Sequence, residues 1–84
     1  MGQLFKLPNI GEILEQQLNE IGIQTVEQLK SIGSKQAWLD IKAIDPSACY
    51  NRLCALEGAI QGIKKVELSA DKKAELKEFY KVSK

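Results

Sequence analysis

The sequence has no histidine, only two cysteines and two prolines, and few aromatic residues among its 84 residues. The lack of histidine removes the commonest general base and the commonest metal ligand. No apolar run approaches the roughly 18 residues of a membrane span, and no signal-peptide pattern opens the chain. These absences favour a cytoplasmic, non-enzymatic domain over an enzyme or a membrane protein. No cofactor, metal or small-molecule substrate is expected.

The sequence also lacks an excess of charge of either sign, because 12 Lys and Arg residues face 11 Asp and Glu residues. A dedicated binder of nucleic-acid backbone usually carries a larger basic excess. The charges are nevertheless separated along the chain. Residues 7–29 contain four glutamates and no cation, whereas residues 61–84 contain seven lysines and four acidic residues. Such a separation can orient a partner domain or align two copies of the chain.

The two cysteines, Cys49 and Cys54, are five residues apart within one predicted helix. Five residues turn a helix by about 500°, so their side chains point about 140° apart. They cannot form a disulfide without rearrangement of the backbone, and their spacing does not match a zinc motif. Both are predicted to be small buried side chains.

The periodicity and the capping signals predict an all-α fold of about five short helices in a single domain, residues 1–84. We expect a helix-hairpin-helix or SAM-like bundle. Thr25 and Gln28 form a capping box, and the Asp45-Pro46 pair is typical of a helix start. The predicted helices run from Gly11 to Ile21, from Thr25 to Gly33, from an N-cap at Ser34 onwards, from Asp45 to Gly62, and from Ser69 to Lys81. Ile13 is expected alongside the inner face of the first helix. The apolar residues of the third helix are Ala37, Trp38, Ile41 and Ile44.

The fourth predicted helix carries the longest apolar stripe and is expected to be the centre of the core. The stripe consists of Cys49, Leu53, Leu56, Ile60 and Ile63. Gly58 interrupts this helix at a cost of about 1 kcal/mol relative to alanine, and close approach of a neighbouring helix is the predicted compensation. Glu57 is predicted to pair with a helix neighbour, and Trp38 is expected to anchor the core or a partner groove.

The segment Leu7-Pro8-Asn9-Ile10-Gly11, followed by a helix that ends in Ile21-Gly22-Ile23, resembles a helix-hairpin-helix element. In such an element, backbone N–H groups at a helix N-terminus receive a DNA phosphate. Here Glu12 and Glu15 lie in the first turns of the helix and would repel a phosphate. We therefore predict that this turn sets the angle between helices, with DNA binding as the alternative.

Two other segments suit a phosphate better than this turn does. Gly33, Ser34 and Lys35 combine small residues, a hydroxyl, a helix N-terminus and a cation, and Lys64 with Lys65 adds two more cations. These five residues are the candidate nucleic-acid site. A solvated, lysine-rich helix face without a ligand is the structural alternative for the C-terminal segment.

Nearly the whole chain resembles the C-terminal domain of the TfoX/Sxy family of regulators of competence for DNA transformation. The resemblance rests on the first segments quoted above, on Thr25-Val26-Glu27-Gln28-Leu29, and most specifically on Leu53-Cys54-Ala55-Leu56-Glu57-Gly58-Ala59. It implies a helical fold and a regulatory role in DNA uptake. Members of the family commonly carry an additional N-terminal domain, whereas this sequence starts almost at the motif. We therefore expect a stand-alone version of the C-terminal domain.

Two functional hypotheses follow from the sequence. The first is a regulatory interaction module that binds a protein partner or a second copy of itself. The second is weak DNA binding without sequence specificity through the five candidate residues. A catalytic role is not expected, because no nucleophile has a base beside it and no phosphate-binding loop is present.

Overall fold

A computed structural model describes residues 3–83 of the chain, apart from the side chains of residues 3 and 5, as helices joined by short turns. No strand occurs among the described residues, which confirms the predicted all-α class. The five α-helices of the described residues are α1 (Glu12–Glu20), α2 (Val26–Ile32), α3 (Ser34–Ile44), α4 (Tyr50–Gln61) and α5 (Ala70–Ser83). Two short 3₁₀ turns, Gln3–Lys6 and Lys65–Glu67, precede α1 and α5.

Helix α4 lies at the centre of the bundle and packs against α2, α3 and α5. Leu53 and Leu56 of its predicted stripe are completely buried, whereas Ile60 and Ile63 are partly buried at the edge of the core. The largest fully buried side chains are Trp38, Leu4, Leu18, Leu29, Ile41, Leu53, Leu56 and Leu76. Helices α3 and α4 contribute two of these residues each, and α1, α2, α5 and the first 3₁₀ turn contribute one each.

Trp38 fixes the junction of α3, α4 and α5, as its size predicts. Its side chain is completely buried, and its indole Nε1–H donates a hydrogen bond to the carbonyl of Cys49 at 3.1 Å. The rings of Phe79 and Tyr80 from α5 pack edge-on at centroid distances of 6.1 and 5.5 Å. This geometry satisfies the one polar atom of the indole while its rings fill the core.

Helix ends that depend on local capping agree with the sequence. Gly22 follows α1 with φ of 93°, and the N–H of Ile23 bonds to the carbonyl of Leu18, which is the pattern of a Schellman motif. The capping box of Thr25 and Gln28 is present at the start of α2. At the start of α5, the hydroxyl of Ser69 accepts the N–H of Lys72. Unpaired backbone groups at these three helix ends are thus hydrogen-bonded by residues close in the sequence.

The predicted start of α4 at Asp45-Pro46 is wrong, because α4 begins at Tyr50. Asp45 instead closes a turn: its carboxylate accepts hydrogen bonds from the N–H and hydroxyl of Ser47. The other carboxylate oxygen bonds to Arg52 at 2.9 Å and to Gln17 at 2.8 Å. Hydrogen bonds from Ser47, Arg52 and Gln17 hold the pKa of Asp45 well below its usual range. Pro46 lies within a turn that the N–H of Ala48 closes by bonding to the carbonyl of Asp45 at 3.0 Å, where the fixed φ of proline is favourable.

Three smaller predictions, on the positions of Cys49, Ser34 and Ile44, are also wrong. Cys49 precedes α4 as its N-cap and is exposed, whereas Cys54 is buried as predicted. Gly33, with φ of 86°, is the residue before α3, so Ser34 is the first helical residue and not the cap. Ile44, the last residue of α3, is 48% exposed.

Candidate functional site

A cleft lies between the N-terminal turn and the loop that follows α4. It has a volume of about 690 Å³ and is open to solvent. Its apolar surface comes from Pro8, Ile63 and Val66, and its cations are Lys6, Lys64 and Lys65. These six residues form the basic cleft.

Asn9 joins the two walls of the basic cleft. Its side-chain amide donates to the carbonyl of Ile63 at 3.0 Å and, more weakly, to that of Ala55 at 3.5 Å. Its amide oxygen accepts the backbone N–H of Lys65 at 3.0 Å. The residue has φ of 68°, a left-handed conformation that asparagine tolerates better than most side chains. Asn9 thus connects two segments that are more than fifty residues apart in the sequence.

Gly58 makes this junction possible. A Cβ atom at this position would lie 2.6 Å from Asn9 Nδ2, 2.8 Å from the carbonyl oxygen of Ile63 and 3.2 Å from the N–H of Lys65. The close approach predicted for this glycine therefore exists, but the neighbour is the Asn9 side chain and the loop after α4, not another helix. The missing side chain of Gly58 lets the N-terminal turn dock on α4.

The three lysines of the basic cleft leave their charge available to a ligand. Lys6, Lys64 and Lys65 are exposed, and none forms an ion pair with a carboxylate of residues 3–83. Glu67, which also lines the cleft, accepts the backbone N–H of Lys64 through its carboxylate at 3.0 Å. The cleft therefore combines three cations with one carboxylate and favours an anionic ligand.

The remaining residues of the predicted nucleic-acid site, Gly33, Ser34 and Lys35, are part of contacts within the fold. Ser34 is buried, and its hydroxyl donates to the Glu57 carboxylate at 2.6 Å. Lys35 pairs with Glu75 at 2.6 Å and lies 5.6 Å from the centre of the Phe79 ring. Hydrogen bonds from Lys35 and Lys72 lower the pKa of Glu75. Gly33, with its positive φ, joins α2 to α3. The contacts of Ser34 and Lys35 therefore hold α3 against α4 and α5.

Lys6 and Val66 of the basic cleft are absent from the candidate site inferred from the sequence, as are Pro8 and Ile63. Lys6 lies beside Lys64 and Lys65 only because the Asn9 junction brings the N-terminus to the loop after α4. Val66 is 71% exposed although its hydrophobicity predicts burial. The sequence indicates this exposure only through the neighbours of Val66, which are two lysines and an acidic residue.

The N-terminus of α1 lines a separate cleft of about 420 Å³ with Arg52. Glu12 is exposed there and Ile13 is 72% exposed, although Ile13 was expected beside the inner face of α1. Gly11 caps the helix without a side-chain hydrogen bond. The glutamate stands in the first turn, where it opposes an approaching phosphate.

Two searches for other kinds of site are confined to the described part of the chain. Among residues 3–83, no group of three or more His, Cys, Asp or Glu residues is arranged to hold a metal ion. In the same residues, no helix is both long enough and apolar enough to cross a bilayer.

Comparison with known proteins gives a consistent set of relatives. The family model described as the TfoX C-terminal domain matches residues 1–80. Protein Sxy of Escherichia coli (strain K12) is 36% identical over 77 residues, which are 92% of this chain and 37% of Sxy. The chain thus spans little more than a third of this curated relative.

Two crystal structures of proteins from Listeria monocytogenes have the same fold. An uncharacterized protein in a triclinic form has a TM-score of 0.93 and 51% identity, over 94% of this chain and 90% of that chain. A protein of unknown function in a tetragonal form has a TM-score of 0.92 and 49% identity, over 95% of this chain and 99% of that chain.

Proposed function

Because the chain belongs to the TfoX C-terminal domain family, we propose that it is a non-enzymatic regulatory module of DNA competence that acts by binding a protein partner. The family match supports the regulatory part of this proposal. The basic cleft supports the binding part. Competence is the process with which the family is associated, and it comes to this chain as a proposal because the chain covers only part of Sxy.

The exposed Val66 within the basic cleft is the observation that carries the proposal. The cleft is open and has a mixed apolar and cationic lining, which suits docking of another macromolecule. An enclosed pocket would be needed to surround a small substrate on most sides. The proposed partner therefore contacts the loop after α4 and the N-terminal turn together.

Transformation frequency in the native host tests this function. We expect a strain whose chromosomal copy carries Lys64→Glu and Lys65→Glu to lose most of its transformation, since both changes reverse the charge of the cleft. Lys77→Glu with Lys81→Glu is the matched control, because it reverses two exposed lysines of α5 that lie outside the cleft. Normal transformation of a strain deleted for this gene would contradict the competence role.

Weak DNA binding without sequence specificity is the second candidate function. The observation that favours it is the set of three lysines without ion pairs, which could contact neighbouring phosphates. Each phosphate contact contributes about −0.9 to the slope of log affinity against log salt concentration, because binding releases counterions from the DNA.

The salt dependence of binding to a short DNA duplex checks the second candidate. We expect Lys64→Glu with Lys65→Glu to abolish binding that the control pair Lys77→Glu and Lys81→Glu leaves intact. In wild-type protein the slope should correspond to about three phosphate contacts, or about −2.7. Binding that the cleft variant retains would remove the cleft from this role.

A further inference from the structure

Val66 is held on a fixed turn and is not part of a loose loop. The carbonyl of Lys64 accepts the N–H of Glu67 at 2.9 Å, and the carbonyl of Lys65 accepts the N–H of Leu68 at 3.3 Å. From α5, Lys73 Nζ donates to the carbonyl of Val66 at 3.3 Å. The buried Leu68 anchors the end of the same turn. The exposed side chain is therefore presented in a defined position, which lowers the entropic cost of binding.

Val66 also lies at the boundary between two clefts. With Lys65 it lines both the basic cleft and a smaller one of about 230 Å³, which Tyr50, Asn51, Cys54 and Lys73 complete. A ligand that covers Val66 thus gains apolar contact on both sides of the turn. Its ends would meet lysines on either side, with Lys73 in the smaller cleft and Lys64 in the larger one.

The lining of the basic cleft favours a peptide over a nucleic acid. Among the described residues of its walls there is neither an aromatic ring nor an arginine on which a base could stack. Its apolar atoms belong to aliphatic side chains and a proline, which suit an aliphatic side chain of a ligand. The cations around them suit carboxylates next to that side chain.

We propose that the basic cleft binds an acidic segment of a partner protein, with an aliphatic side chain of the segment covering Val66 and carboxylates facing Lys6, Lys64 and Lys65. This inference rests on the proposed function and names the class of partner for the same site. The partner is recognised by acidic residues that flank an aliphatic one.

An NMR titration of isotopically labelled protein tests the inference directly. The probe is the blocked peptide acetyl-Glu-Asp-Leu-Glu-Asp-amide, and two control peptides carry serine in place of leucine or lysine in place of the acidic residues. We expect saturable shifts of the backbone amides of Lys64, Lys65 and Val66 with the acidic leucine peptide. The serine peptide should bind more weakly, and the lysine peptide should cause no shifts.

Peptide titrations of protein variants show which side chains of the cleft contribute to binding. Lys64→Glu with Lys65→Glu is expected to weaken peptide binding roughly tenfold, since exposed ion pairs with the peptide are weak individually and two of them are lost. Val66→Ser should abolish the preference for leucine over serine without changing the contribution of the lysines. The pair Lys77→Glu and Lys81→Glu should bind like the wild type.

Four results would overturn the inference: no saturable shift at millimolar peptide, shifts confined to other surfaces, tighter binding of a DNA duplex to the same amides, or the same shifts produced by raising the protein concentration alone. The last two results would assign the cleft to DNA or to a second copy of the chain. Loss of transformation in the cleft variant together with no peptide binding would leave the proposed function standing and remove only this inference. Peptide binding without any effect of gene deletion on transformation would leave this inference standing and remove the proposed role in competence.

Discussion

Replacing Asn9 by alanine is expected to lower the free energy of unfolding by about 2–3 kcal/mol. The substitution removes the bonds to the carbonyl of Ile63 and the N–H of Lys65, each about 1 kcal/mol. It also places alanine at φ of 68°, which disfavours it by about 1 kcal/mol. Urea denaturation followed by circular dichroism measures the change.

The variant Asn9→Gly separates the two causes. Glycine adopts the left-handed conformation without a steric penalty but makes no side-chain hydrogen bonds, so its loss of stability should be smaller by about 1 kcal/mol. Equal losses for the two variants would show that the backbone conformation contributes nothing. If neither variant changes stability, the junction of the N-terminal turn with the loop after α4 does not stabilise the fold.

Gly58→Ala is expected to destabilise the protein by about 1–3 kcal/mol, although alanine is the better helix former. The gain in helix propensity is about 1 kcal/mol. The new Cβ would lie 2.6 Å from Asn9 Nδ2 and 2.8 Å from the backbone carbonyl of Ile63, so the helix and the loop must separate. The cost of that separation exceeds the gain in propensity, and thermal denaturation will show a lower midpoint.

A second glycine and a double variant provide the controls. Gly11→Ala should cost only the preference of an N-cap for glycine over alanine, less than about 1 kcal/mol, because a Cβ atom there has nothing within 4 Å. Since Asn9 provides the nearest clash, the cost of Gly58→Ala should be smaller in the Asn9→Gly background, and the two effects should not be additive. Strict additivity would mean that Gly58 is not packed against the Asn9 side chain.

Helix ends were predictable from the sequence wherever the capping partner lies within a few residues. The box at Thr25, the cap at Ser69 and the glycine after α1 satisfy backbone groups of their own helix. The start of α4 was not predictable in this way. Asp45 has the same local chemistry as a cap, but its carboxylate is bound by Gln17, which lies 28 residues away. That competition is visible only once α1 and α3 are in contact.

The candidate site shows the same division between local and long-range information. Lys64 and Lys65 were identifiable as neighbouring cations in the sequence, and the fold leaves both exposed. Lys6 was not, because the Asn9 junction that brings it to them spans more than fifty residues. Ser34 combines a hydroxyl with a helix start, yet its hydroxyl serves Glu57, which the sequence alone does not place next to α3.

The buried tryptophan has a practical consequence for all of these measurements. Trp38 is the only indole in the chain, and α5 covers it through Phe79 and Tyr80. Its emission therefore has a single origin and reports on the detachment of α5 from α3. Comparing the fluorescence transition with that of circular dichroism distinguishes loss of this helix alone from cooperative unfolding of the whole bundle.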